Sequence, residues 1–139
     1  MKIRKFRKED EKKVDKLVKN VLFEIFKTKP KKLENLSNVK LFLVAEDKKK
    51  IVATIALIKK GKDYIVKRLY INKEYRNKGL GQEIYYKIEN FAKRAKISKL
   101  KLTTTPQMKA AIHFYKKNGF KKTGEDKKIN KIFFEKRLK

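Results

Sequence analysis

The sequence predicts an α/β (α+β) fold: a mixed central sheet with an antiparallel N-terminal meander and flanking helices. Three observations carry this. Apolar runs of strand length alternate with apolar stripes at i, i+3, i+4, i+7 spacing, the mark of strands interleaved with helices. Three of the runs, Leu41 to Glu46, Ile51 to Ile58 and Tyr64 to Ile71, follow one another across short turns, as an antiparallel meander does. The 139 residues suffice for one hydrophobic core, so 1–139 is expected to form one domain.

Each element has a local reason. Lys2 to Arg7 reads as a short strand through Ile3 and Phe6. Glu9, Asp10 and Glu11 then place acids where a helix start favours them. Val14, Leu17, Val18, Val21, Leu22, Ile25 and Phe26 form one stripe of a long helix, which Pro30 is expected to end. Lys31 to Asn38 is a polar connection, expected to hold one short helical turn around Leu33 and Leu36. Asp47-Lys48-Lys49-Lys50 closes the first hairpin, and the segment 59–63, with Gly61, closes the second. After Ile71 the chain breaks into a charged loop and then Gly79-Leu80-Gly81. Leu80, Ile84, Ile88, Phe91, Ala92 and Ala95 mark the helix that follows. Leu100 to Thr104 alternates as a strand. Pro106 suits the first turn of a helix whose stripe is Met108, Ala111, Ile112 and Tyr115. Asn118-Gly119 stops that helix, Phe120 begins another strand, and Ile129 to Leu138 reads as the last.

Composition removes several classes of function. Without cysteine there is no disulfide and no thiolate metal site, and His113 is the sole imidazole, so no metal centre is expected. No run approaches the roughly 18 apolar residues of a membrane span, and the N-terminus lacks an apolar signal core. A cytoplasmic protein with no membrane partner is the expectation. The charge is extreme: 42 Lys+Arg against 15 Asp+Glu, formally +27. Such a surface attracts polyanions. Lysines are spread along nearly every segment, as in a chain with a general lysine bias, yet acids are absent from Asn90 through Gly124.

The segment from Tyr64 to Gln82 carries the chemistry. A β-branched and aromatic strand runs into Arg76-Asn77-Lys78-Gly79-Leu80-Gly81 and then a helix, a layout for holding phosphate. Glycines let the backbone approach, and the N–H groups of a helix start point at the anion. This R-x-x-G-x-G frame resembles the acetyl-CoA pyrophosphate loop of the GNAT N-acetyltransferases. Further on, Ala110-Ala111-Ile112-His113-Phe114-Tyr115-Lys116-Lys117-Asn118-Gly119-Phe120 is similar to the family's A-I-x-x-Y-x-x-x-G-F signature. The element order resembles the GNAT fold over essentially the whole chain.

The resemblance implies acetyl-CoA as co-substrate and transfer of its acetyl group to a primary amine by direct attack on the thioester. It implies that backbone groups of Leu69, Tyr70 and Ile71 meet the pantetheine arm and acetyl group. It implies that Asn77, Lys78, Gly79, Leu80, Gly81 and Gln82 wrap the pyrophosphate, with Arg76 and Lys78 adding countercharge. Tyr115 matches the family's general acid, which protonates the departing thiolate; a core aromatic is the other reading of that position. Lys117 matches lysines that reach the 3′-phosphate of CoA. Two departures bear on the acceptor. Thr103 stands where relatives that acetylate protein N-termini carry a glutamate base, and Met108 stands where they carry an asparagine. A small amine or amino acid is therefore favoured over a protein N-terminus, with the base a water chain, a backbone carbonyl, Glu74 or Glu46. Arg68 either faces the acceptor, where it could bind a carboxylate or phosphate, or pairs at the surface. His113 reads as a surface or edge residue. The alternative is a GNAT-derived basic module that grips nucleic acid or acidic protein. The aromatics sit at core-like positions, which counts against base stacking and limits the expectation to weak, non-specific nucleic-acid binding. A monomer or homodimer is expected.

Overall fold

Ile51 to Ile58 is buried at every position, on both faces of its strand, which requires a central strand covered on two sides. The computed structural model, which describes residues 1–138, supplies both covers. Seven strands form one sheet: β1 (Lys2–Lys5), β2 (Val39–Asp47), β3 (Lys50–Lys60), β4 (Asp63–Ile71), β5 (Lys99–Thr104), β6 (Lys121–Asp126) and β7 (Lys131–Arg137). Their order is β1-β2-β3-β4-β5-β7-β6, antiparallel throughout except for β4 beside β5.

Helix α1 (Glu11–Phe26) covers one face, burying Val14, Leu17, Val18 and Val21 against Val44 and Ile51. Helices α2 (Leu80–Arg94) and α3 (Lys109–Lys117) cover the other. There Leu80, Ile84, Tyr85, Ile88 and Ala92 pack under Val52, Leu57 and Val66 and also under Leu100, Leu102 and Phe134. Buried Glu89 of α2 accepts a bond from Tyr85 Oη (2.8 Å) and from Lys136 Nζ of β7, so the buried acid of this layer is paired.

The first hairpin turns on Lys48 (φ 52°) and Lys49 (φ 67°), both left-handed, as a two-residue loop between twisted strands requires. Gly61 (φ 61°) serves the second. Three sequence expectations need correction. Helix α1 ends before Pro30: Lys27 adopts φ 62° and its N–H returns to Phe23 O at 2.8 Å, a left-handed cap. No helical turn forms around Leu33 and Leu36; the segment 31–38 is irregular, and Leu33 packs onto the α1 cluster. Pro106 lies in a turn closed by Met108 N–H to Thr105 O (3.0 Å), the second position of a four-residue turn that proline's φ suits. Helix α3 starts only at Lys109.

Candidate active site

Strand β4 departs from regular geometry where chemistry was expected. Its register with β3 runs Thr54↔Tyr70 and then Ala56↔Lys67, so Arg68 and Leu69 together oppose Ile55. This is a bulge. Arg68 takes φ 61°, a left-handed conformation that costs a non-glycine residue roughly 1–2 kcal/mol. Two bonds hold it there: Thr54 Oγ1 donates to Arg68 O (2.7 Å), and an Arg68 terminal N–H donates to Glu34 O (2.6 Å). On the other side of β4, pairing with β5 is confined to Ile65↔Lys101. Beyond it, the β5-facing edge of Val66 to Ile71 has no strand partner, and the sheet opens into a gap.

A cleft of about 470 Å³ occupies the gap. Leu22 and Phe26 line it from the α1 face, and Met108, Ala111 and Tyr115 from the α3 face, so it passes through the sheet. Leu69 and Tyr70 form one wall and Thr103, Thr104 and Thr105 the other. Thr105 Oγ1 is buried there without a hydrogen-bond partner. Tyr115 is 6% exposed, and its phenol makes no hydrogen bond within the described residues. Burial pushes the Tyr115 phenol well above its ordinary pKa, and nearby Tyr70 acts in the same direction. The Tyr70 phenol is raised by burial too, against a lowering by Arg68.

The glycine loop lies at the end of the same strand. Asn77 (φ 60°) and Gly79 (φ 83°) are left-handed, which turns the chain into α2. The first helical bond is Glu83 N–H to Gly79 O at 3.0 Å, and no side chain caps the helix. The backbone N–H groups from Asn77 to Gln82 make no hydrogen bond within the described residues. Open donors at a helix start attract anions. A Cβ on Gly79 would meet nothing within 4 Å, whereas one on Gly81 would contact Ile71 and Phe114 at 3.8 and 3.9 Å.

Other candidates fall in different places. Arg76, expected as countercharge, is committed elsewhere: its terminal nitrogens bond both oxygens of Glu24 on α1 (2.9 and 3.1 Å) and its Nε bonds Ile71 O (3.0 Å). Its guanidinium ties α1 to the end of β4. Lys78 stays exposed, with Nζ 6.0 Å from the Tyr75 ring centre. Lys117 and His113 are exposed on α3. Neither candidate base lines the cleft: Glu46 is paired with Arg4 (2.9 Å) near the β1 edge, and Glu74 is exposed in the short turn after β4. The cleft holds one acid, Glu34, which no local pattern marks. It comes from the irregular segment after α1 and bonds Lys67 Nζ at 2.6 Å, which holds its carboxyl below the ordinary carboxylate value. Lys131 of β7 also lines the cleft. A larger groove of about 1110 Å³ runs along the 31–36 segment and the start of β2. It shares Arg68 and Glu34 with the cleft but contains none of the glycine-loop residues or Tyr115.

Comparison with known proteins agrees with this geometry. The model of the acetyltransferase (GNAT) family matches residues 10–120. Sequence comparison with curated proteins gives no match. Among solved structures, a GNAT-family acetyltransferase from Staphylococcus aureus Mu50 superposes with a TM-score of 0.86 at 22% identity, covering 99% of each chain. The PaiA N-acetyltransferase of Thermoplasma acidophilum, solved in complex with coenzyme A, gives 0.83 at 20% identity over 99% of this chain and 98% of that one. A ribosomal-protein-alanine N-acetyltransferase from Brucella melitensis gives 0.80 at 16% identity, over 99% of this chain and 100% of that one.

Proposed function

The chain belongs to the GNAT acetyltransferase family, and from that premise we propose that it is an acetyl-CoA-dependent N-acetyltransferase acting on the primary amine of a small molecule. The observation that carries the reading is the succession of two features along β4 and the loop after it: a gap beside the strand that ends at Tyr115, and then a run of unpartnered backbone donors from Asn77 to Gln82. The first fits a pantetheine arm with its thioester and the second a pyrophosphate.

Each residue then has a task. The loop amides and the α2 dipole hold the phosphates. Backbone groups of Leu69, Tyr70 and Ile71 on the edge left unpaired by β5 orient the arm, and an N–H among them stabilises the oxyanion. Lys78 and Lys117, the second of them within the acid-free stretch 90–124, are solvated cations and supply countercharge; Arg76 acts indirectly, by fixing the end of β4. The amine nitrogen bonds to the carbonyl carbon, the C–S bond breaks, and sulfur keeps the electron pair. The Tyr115 phenol donates to that sulfur as charge develops on it. Its raised pKa keeps the proton in place until that moment. The proton lost by the amine leaves through water, since Thr103 stands in the wall where a carboxylate could have received it.

The whole of 1–139 is taken as one catalytic domain. Calorimetry with acetyl-CoA, followed by mass spectrometry of a mixed amine panel, tests the reading. Micromolar binding and a mass increase of one acetyl group on an amine are expected. Absence of binding at millimolar acetyl-CoA would overturn it.

A further inference from the structure

The cleft carries a local excess of positive charge distinct from the lysine richness of the surface. Its one acid, Glu34, already bonds Lys67. Two further cations line it, Arg68 and Lys131, both half-buried, and neither forms an ion pair within the described residues. Arg68 donates one N–H to a backbone carbonyl and leaves its other donors unpartnered. Lys67, Arg68 and Lys131 line the cleft together with Glu34, and all three lower its carboxyl. Most lysines of this chain stand in open water, where their field is screened within about 8 Å at physiological salt. Unpaired cations in a concave site are screened less, and focus their field on whatever enters. Arg68 is also preorganised, since the bulge and the Thr54 bond fix its backbone.

We infer that the acceptor is a primary amine that also bears an anionic group, a carboxylate or a phosphate, and that Arg68 and Lys131 hold this group while the amine faces the thioester. The inference rests on the acetyltransferase reading and adds the acceptor's class to it. A guanidinium suits both oxyanions, as it can give either one two parallel N–H bonds. A polyamine would bring its additional positive charges against Lys67, Arg68 and Lys131, a repulsion that excludes it.

A matched series of amines tests this. β-Alanine carries a carboxylate, O-phosphoethanolamine a phosphate, ethanolamine no charge besides the amine, and diaminopropane a second cation. One of the two anionic amines should exceed ethanolamine at least about tenfold in kcat/KM, equivalent to about 1.4 kcal/mol. Whichever is preferred identifies the oxyanion, and diaminopropane should be the poorest. In Arg68→Gln the anionic-to-neutral ratio should fall towards one, and in Lys131→Gln it should fall part of the way. Acetyl-CoA affinity serves as the folding control for both. Equal use of ethanolamine, preference for diaminopropane, or an unchanged ratio in both variants overturns the inference and leaves the acetyltransferase reading standing. So does acetyl-CoA binding without turnover of either anionic amine. Loss of acetyl-CoA binding in the unmodified protein overturns the reading beneath it.

Discussion

Gln82 and Asn118 exchange both of their side-chain amide bonds: Gln82 Nε2 donates to Asn118 Oδ1 (2.5 Å), and Asn118 Nδ2 donates to Gln82 Oε1 (3.1 Å). Asn118 Nδ2 also reaches Phe114 O (2.9 Å), so the pair joins the start of α2 to the end of α3. The phosphate loop and the Tyr115 helix are thereby held at a fixed distance. Gln82→Ala or Asn118→Ala should each lower stability by about 1 kcal/mol, with most of that loss shared in the double variant. Both should raise the acetyl-CoA dissociation constant several-fold. Strict additivity in a double-mutant cycle by urea denaturation would show that the pair is not coupled.

Gly79 and Gly81 should respond differently to an added methyl. Gly79→Ala places a Cβ on a residue at φ 83°, with open space around it, so its cost is backbone strain of about 1 kcal/mol. Gly81 is helical, and its added methyl would make only ordinary contacts, so Gly81→Ala should melt no lower than the parent. Acetyl-CoA affinity should fall about tenfold or more in Gly79→Ala, whose methyl stands in the open space beside the loop amides, and less in Gly81→Ala, whose methyl turns towards Ile71 and Phe114. Parallel melting curves and calorimetry on the two variants check this.

Tyr115→Phe removes the proton and keeps the ring in its apolar setting. Folding and acetyl-CoA binding should be retained, and kcat should fall by roughly 10² or more. A steady-state measurement in which kcat is unchanged would make Tyr115 a packing residue only.

The pH profile should reflect a missing base. Glu34 is the one acid in the cleft, and Lys67, with Arg68 and Lys131, holds it ionised, which makes it a poor proton acceptor. The acceptor must arrive as the free amine. The logarithm of kcat/KM for the acceptor should therefore climb with unit slope towards the amine's own pKa, about 10 for an alkylamine. No falling limb should appear below that pH, since burial keeps Tyr115 protonated. A plateau beginning near neutrality would reveal a base in the protein.

Acid stability should depend on Asp10. It is 4% exposed and accepts from both Arg4 terminal nitrogens (2.8 and 2.9 Å) and from Arg7 N–H (2.8 Å). The Arg4 bonds hold its carboxyl at about 2, against a burial effect in the other direction. The folded value lies below the unfolded one, so the unfolded chain binds the proton more readily and stability rises with pH across that interval. The contribution is complete above about pH 4 and is lost as pH falls towards 2. Asp10→Asn should cost about 2 kcal/mol at neutral pH and flatten the acid limb of the stability curve. Urea titrations at a series of pH values measure both.

What could be read from the sequence were features fixed by neighbours along the chain. The meander shows in three apolar runs, α2 in its stripe, and the turn into α2 in glycines whose backbone freedom is an intrinsic property. What could not be read depends on distant residues. Lys27 caps α1 in a conformation that no local pattern assigns to lysine, and Pro30 was the more obvious stop. Arg76 finds Glu24 from 52 residues away, which turns an expected phosphate ligand into a brace. Glu34 lies in an irregular segment with no periodicity, and only the folded chain brings it beside Lys67 and Arg68. Lys131 enters the cleft because β7 pairs next to β5, a crossover in strand order that hydropathy does not encode.

The single paired position between β4 and β5 has a mechanical consequence. In hydrogen-bonding terms the sheet is two leaves, β1-β2-β3-β4 and β5-β7-β6, and the helix α2 packs chiefly on the first, against β3 and β4. Widening the seam between the leaves would break almost no ladder bonds, and the Glu89–Lys136 bond is one of the ties that cross from α2 to β7. Parting the leaves would therefore cost side-chain contact far more than backbone hydrogen bonds. Backbone resistance to opening is thus weakest along one line of the sheet.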